Sequence, residues 1–167
     1  IAEMLKAAGK TVHLGGNIGR ALLPVVGQIK PDDVAVVELS SFQLISMHTS
    51  PDVALVTNVT PNHLDHHKDM QEYVNAKRNI VLHQKPGSKA VLGYENAITR
   101  GMEQDVVGKR YWFTRKSKID CGAYLEDNGD LCMIEDGVLT RIVNQSEVRL
   151  RGLHNIENLL GAMAAVA

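Results

Sequence analysis

The chain has 167 residues, 44% of them hydrophobic and 22% charged, with 18 Lys plus Arg against 19 Asp plus Glu and a formal net charge of −1. This composition suits one ordinary folded core; it excludes intrinsic disorder and any nucleic-acid or membrane-surface role resting on bulk charge. No apolar run reaches the roughly 18 residues needed to span a bilayer, and Cys121 and Cys132 form neither a disulfide framework nor a usual zinc pattern, which suits a reducing cytosol.

The opening residues 1–8 read as the back half of a helix stopped by Gly9. A short strand over 11–14 and the turn Gly15-Gly16 follow, and Asn17 is positioned to cap a helix over 18–26. The apolar runs 34–37 and 54–56 have the character of strands buried on both faces. Asp69 and Glu72 have capping-box spacing and open a helix to about residue 84. A strand over 89–92 and a short helix over 96–102 come next. After Tyr111-Trp112-Phe113 the pattern becomes a meander of strands over 123–126, 131–135 and 138–143, joined by turns at 127–130 and at Asp136-Gly137. A last helix begins near His154. The alternation predicts an α/β fold with a largely parallel sheet flanked by helices, plus a small antiparallel meander. The chain starts without Met and stops inside an Ala-rich stretch, so both ends are expected to be cuts from something longer.

In open parallel sheets, ligands sit beyond the carboxyl ends of the strands, and three polar clusters fall there. Gly15-Gly16-Asn17-Ile18-Gly19 offers bare backbone N–H groups to an anion such as a diphosphate, or is simply a tight turn with an Asn cap. Glu38 ends the run 34–37; a carboxylate at the tip of a buried strand needs a magnesium ion or a Lys or Arg partner. Residues 58–67 hold His63, Asp65, His66 and His67, which are either metal ligands or ordinary loop histidines. Lys77 falls in the middle of the inward stripe of Met70, Tyr73, Val74, Ile80 and Val81, with Glu72, Asn75 and Arg78 outside it. Held there, its amine loses hydration, favours the neutral form and can take up CO2 as a carbamate; the alternative is a snorkelling ammonium. Asn155 and Asn158 share a helix face and could read a purine edge or ribose, or serve as a cap and plain surface. Met4, Met102 and Trp112 read as core.

Taken in order, GGNIG, VVELSSFQL, TNVTPNHLDHH, NAKRNI and RGLHNIEN resemble the ATP-binding central domain of the Mur ligases across nearly the whole chain. Within that family ELSSFQL points to the member that joins D-glutamate to UDP-N-acetylmuramoyl-L-alanine, in the bacterial cytoplasm, during peptidoglycan synthesis. The resemblance implies a P-loop NTPase-like fold and ATP-driven amide formation through an acyl phosphate, supported by two Mg2+ ions. It makes Glu38 and His63 magnesium ligands, Lys77 a carbamylated lysine holding metal, Gly16 and Asn17 contacts to the muramoyl substrate, and Asn155 and Asn158 nucleotide contacts. One departure is His66, where the family usually has Arg. A Gly-rich phosphate loop ending in Gly-Lys-Ser/Thr is absent from the 167 residues, as are the family's N-terminal uridine-binding and C-terminal D-glutamate domains, so the chain alone is expected to be inactive. The rivals are another amino-acid-adding member of the family, a DHH-type metal phosphoesterase suggested by Asp65-His66-His67, and a non-catalytic nucleotide-binding module.

Overall fold

The computed structural model describes residues 1–61 and 67–167. The first helix, α1 (Ala2–Ala7), stops as expected at Gly9. At φ +81° Gly9 turns the chain so that its N–H donates to the Lys6 carbonyl (2.9 Å) and that of Lys10 to the Leu5 carbonyl (3.0 Å). β1 (Val12–Gly16) pairs in parallel with β2 (Val34–Glu38), in a register that sets Gly16 opposite Glu38. The helix expected over 18–26 does not form; a 3-10 stretch, Leu23–Gln28, stands in its place. Gly19 at φ +85° interrupts helical backbone, and Pro24, lacking an N–H, fits only at a helix start, so the turn begins late and stays short.

A second sheet runs in the order β3 (Val53–Val56), β4 (Lys89–Gly93), β5 (Lys109–Thr114), β6 (Gly122–Leu125), β7 (Asp130–Glu135), β8 (Val138–Asn144). β3 to β6 are parallel and β7 and β8 antiparallel, so the meander is no separate decoration: its first strand extends the parallel sheet. The register joins β5 to β6 only from Trp112–Gly122 to Thr114–Tyr124, and residues 115–121 between them make a connection shorter than the dozen or so residues usual for a parallel crossover. The hairpin signals hold. Asp136 and Gly137, at φ 51° and 76°, supply the two positive-φ positions of a tight hairpin turn between β7 and β8.

Helices α2 (Ser41–Leu44), α3 (Met70–Leu82), α4 (Ala97–Gly101) and α5 (Leu153–Val166) complete the fold. Alternation along β4 and β5 divides the core in two. Val91, Tyr111 and Phe113 pack with Ile156, Leu160 and Met163 of α5, whereas Ala90, Leu92 and Trp112 pack with Tyr73, Val81 and Met102. Met102 and Trp112 are thus core, as expected, and Met4 packs against the α5 cluster. β1 and β2 supply no residue to either cluster, and Leu14 and Val37 are 53% and 45% exposed. The expectation that 34–37 is buried on both faces is therefore overturned. The run 54–56 is buried at Ala54 and Val56 and partly open at Leu55.

Candidate functional site

Three carboxyl strand ends carry the residues singled out in the sequence. At the tip of β2, Glu38 is exposed. Its carboxylate therefore needs no metal to offset burial, contrary to expectation, because β2 has a strand on one edge and contributes to neither core cluster. Beside it, the Asn17 N–H donates to the Glu38 carbonyl at 2.8 Å. Asn17 therefore extends the β1–β2 pairing instead of capping a helix. Gly16, at φ +116°, lies so close to β2 that a Cβ there would stand 2.2 Å from the Glu38 carbonyl oxygen. Its absence of a side chain is required by strand packing, whatever it also allows a ligand to do.

Immediately beyond Glu38, Ser40 caps α2: its Oγ accepts from the Gln43 N–H (3.3 Å), and the Ser40 N–H donates to Gln43 Oε1 (2.8 Å). This Ser-x-x-Gln capping box was legible in the sequence, although no helix was expected there.

α3 brings Lys77 to the same region. Asp69 caps it as predicted, accepting from the Glu72 N–H at 2.8 Å, but the box is one-sided. Glu72 Oε2 instead accepts from the Lys68 N–H (2.8 Å) and lies 3.3 Å from His67 Nδ1. Lys77 is half-buried, with Nζ 5.6 Å from the centre of the Tyr73 ring. Burial pulls its amine below the usual lysine range, while the negative charge of Glu38 pulls the other way. The two groups thus feel each other without an ion pair. Arg78 stays outside the stripe, as expected, and donates from Nε (2.7 Å) and Nη2 (2.6 Å) to Asp105.

His63, Asp65 and His66 lie outside the described residues. His67 is 4% exposed and has both ring nitrogens engaged, Nε2 with Ser41 Oγ at 2.9 Å and Nδ1 with Glu72. It also stacks on Phe42 (centroids 5.0 Å, planes 3° apart) and tilts against Tyr73 at 5.3 Å. With its lone pairs and protons spent inside the protein, His67 is a buried tie and not a metal ligand. Among the described residues no three His, Cys, Asp or Glu side chains converge as a closed metal cage. An open site fits a hard cation such as Mg2+, which takes one or two protein carboxylates and completes its shell with phosphate and water, and Glu38 is a donor of that kind.

The remaining candidates lie at the start of α5. Arg115, just past β5, stands 3.7 Å from Glu157, which brings the first turn of α5 to the carboxyl end of β5. Asn155 donates its side-chain N–H to the Arg151 carbonyl (2.8 Å) and so braces the turn into the helix, while Asn158 is exposed. The tripeptide Gly9-Lys10-Thr11 is no phosphate loop, since it leads from a helix into a strand, the reverse of the strand–loop–helix order that cradles phosphate. Among the described residues, no helix is long and apolar enough to cross a membrane.

The family described as "Mur ligase middle domain" matches residues 1–166. The chain is 46% identical over 167 residues to a UDP-N-acetylmuramoylalanine–D-glutamate ligase of Clostridium tetani, covering all of this chain and 35% of that protein. It is 47% identical over 167 residues to the ligase of the same name from Acetivibrio thermocellus, covering 99% of this chain and 35% of the relative. The chain therefore spans about a third of the length of these curated relatives. Among solved structures, a UDP-N-acetylmuramate:L-alanyl-gamma-D-glutamyl-meso-diaminopimelate ligase from Neisseria meningitides superposes with a TM-score of 0.67 at 16% identity, over 99% of this chain and 55% of that one. MurF from Acinetobacter baumannii gives 0.61 at 15% identity, over 94% and 43%. At such identities these structures speak for the fold alone.

Proposed function

Since this chain belongs to the Mur ligase family, whose middle domain it matches, we propose that it is the ATP-binding central part of a longer bacterial ligase. That enzyme joins D-glutamate to UDP-N-acetylmuramoyl-L-alanine in the cytoplasm, as a step of peptidoglycan precursor synthesis. The reading is carried by the middle-domain match over residues 1–166, and the placement of Lys77 and Glu38 supports it. A half-buried amine on the inner face of α3 lies in the field of a carboxylate at the tip of β2. Glu38 is exposed, and the Lys77 amine meets the Tyr73 ring and forms no ion pair with a described residue.

In the proposed reaction the muramoyl-alanine carboxylate attacks the γ-phosphorus of ATP, giving an acyl phosphate and ADP. The D-glutamate amine then adds to the acyl carbon, and phosphate leaves as the amide forms. Bound Mg2+ ions would neutralise charge on the phosphoryl group and on the approaching carboxylate. Glu38, His63 and Lys77 as its carbamate would hold them: the desolvated amine suits CO2 uptake, and the carbamate restores an oxygen donor beside Glu38. Gly16 and Asn17, tied to the Glu38 backbone, would meet the muramoyl substrate. Asn158, exposed on the first turns of α5, would contact the adenine, with Asn155 bracing the turn before it. The phosphate-gripping loop, a uridine-binding domain and a D-glutamate-binding domain are assigned to the rest of the longer protein. The β2 edge away from β1 and the β3 edge away from β4 support this, being unpaired among the described residues and open to a further strand.

The test is ADP release that requires both the muramoyl substrate and D-glutamate. The full-length protein should show it and this chain alone should not. Nucleotide binding without muramoyl-peptide binding in the full-length protein would favour a non-catalytic module instead.

A further inference from the structure

The site depends on two elements that share no strand pairing. Glu38 ends β2, and Lys77 rides on α3. What joins them is a chain of side chains that the metal reading of residues 58–67 left unused. Ser41, three residues after Glu38, holds His67 Nε2 at 2.9 Å; Nδ1 of the same ring reaches Glu72 on α3 at 3.3 Å. The imidazole lies between Phe42 of α2 and Tyr73 of α3, and the Tyr73 ring is the surface on which the Lys77 amine rests, 5.6 Å from its centre. A histidine is suited to this post: a flat ring stacks on Phe42 and tilts against Tyr73 while its two nitrogens tie two different elements at once.

We propose that His67 is a positioning residue that keeps the Glu38 carboxylate and the Lys77 amine in working alignment by clamping α2 onto α3. The inference rests on the reading of Glu38 and Lys77 as the cation-holding pair, and adds to it the device that sets their relative placement. His67 touches neither ligand and acts only through Ser41, Glu72 and Tyr73. Losing the Ser41 tie frees the β2–α2 corner while the packing of the ring remains; replacing the imidazole with a phenyl ring keeps the stack and removes both ties. In either case α2 is free to shift against α3, which opens the space around the Lys77 amine and separates it from Glu38.

The experiment uses the full-length protein with Ser41→Ala, Ser41→Thr and His67→Phe. Two quantities are followed beside the melting temperature. One is the Mg2+ concentration giving half-maximal ADP release; the other is the rate at which Lys77 is acylated by an amine-selective reagent, read by mass spectrometry without substrate or metal. In Ser41→Ala and His67→Phe the Mg2+ requirement should rise about 10-fold, the size typical of lost support behind a metal ligand. Lys77 should also be acylated faster, and Ser41→Thr, which keeps the hydroxyl, should return both quantities to the parent values. Should His67→Phe not fold, Ser41→Ala decides alone. Variants that melt earlier with an unchanged Mg2+ requirement and unchanged Lys77 labelling would overturn the proposal and leave His67 a stabilising residue only. If the full-length protein shows no ligase activity, the reading of the site falls, yet the labelling rate in Ser41→Ala still decides whether His67 positions Lys77.

Discussion

Lys77 occupies a stripe that an apolar residue would fill at lower cost, and the sign of that cost can be measured. Burial lowers its pKa from the ordinary 10.5, so between the folded value and 10.5 the unfolded chain binds more protons and stability rises with pH. Below the folded value the burial penalty stands in full, and it fades as pH rises to 10.5. Lys77→Met in this chain should therefore melt no earlier than the parent at pH 7. The difference should shrink as pH approaches 10.5, as thermal melts at the two pH values will show. In the full-length protein the same substitution should cost ligation about 100-fold or more, the scale of losing a charged group from a phosphoryl-transfer site. A residue that destabilises the fold while serving the reaction is the usual mark of a functional site.

Which of these residues was legible in advance follows from what each depends on. Lys77 was readable because helical periodicity alone puts it among Tyr73, Val74, Ile80 and Val81. Arg78 was rightly left outside that stripe, but its partner Asp105 lies far away in sequence, which no local pattern encodes. Glu38 was correctly placed at a strand tip and wrongly buried, since exposure depends on which elements cover the tip and not on the apolar run before it. His67 looked like part of a histidine cluster; that its nitrogens are spent on Ser41 and Glu72 only the folded chain reveals.

At the scale of elements, local chemistry was the better guide. Caps and tight turns act within a few residues, so Gly9, Asp69, Asn96 and Asp136-Gly137 end or bend the chain where expected. The failures are elements whose length is set by competing local signals, above all the helix expected over 18–26, which Gly19 and Pro24 reduce to a 3-10 stretch. The pairing of β6 with β5 was missed for a different reason: hairpin signals report the β6–β7 and β7–β8 neighbours but nothing about the far edge of β6. Among the caps, Asp69 bears most on the site because it starts the helix that carries Lys77. Asp69→Ala removes the acceptor for the Glu72 N–H and should lower unfolding stability by about 1 kcal/mol, measured as a shifted midpoint in urea at constant slope. Because Glu72 also holds His67, fraying of that first turn should reach the clamp as well.

For the molecule as a whole, the arrangement is lopsided. The six-stranded sheet is packed on both faces at β4 and β5, by α5 on one side and by α3 and the Met102 region on the other, while β8 lies largely exposed. The β1–β2 ribbon has one pairing partner, contributes to neither core cluster and exposes Leu14 and Val37. Stability should be graded accordingly. Two-stranded ribbons hold weakly by themselves, so backbone amides of β1 and β2 should exchange with solvent faster than those of β4 and β5, in hydrogen-exchange measurements on this chain. One tie of the ribbon also has a pH signature: Asp33, in the turn before β2, accepts from the Lys30 N–H (3.0 Å) and lies 2.9 Å from His13 Nε2 on β1. The Lys30 N–H first, and His13 after it, hold the Asp33 carboxyl below its ordinary 3.8. A depressed folded-state pKa gives stability that is present above 3.8 and lost as pH falls through the folded value. Ribbon protection should therefore drop further on acidification through that range while that of β4 and β5 persists. In the full-length protein, where the open edges of β2 and β3 have room for another strand, the gap in protection between ribbon and sheet should close. Equal protection of ribbon and sheet in the 167-residue chain would mean that the β2 edge needs no further partner.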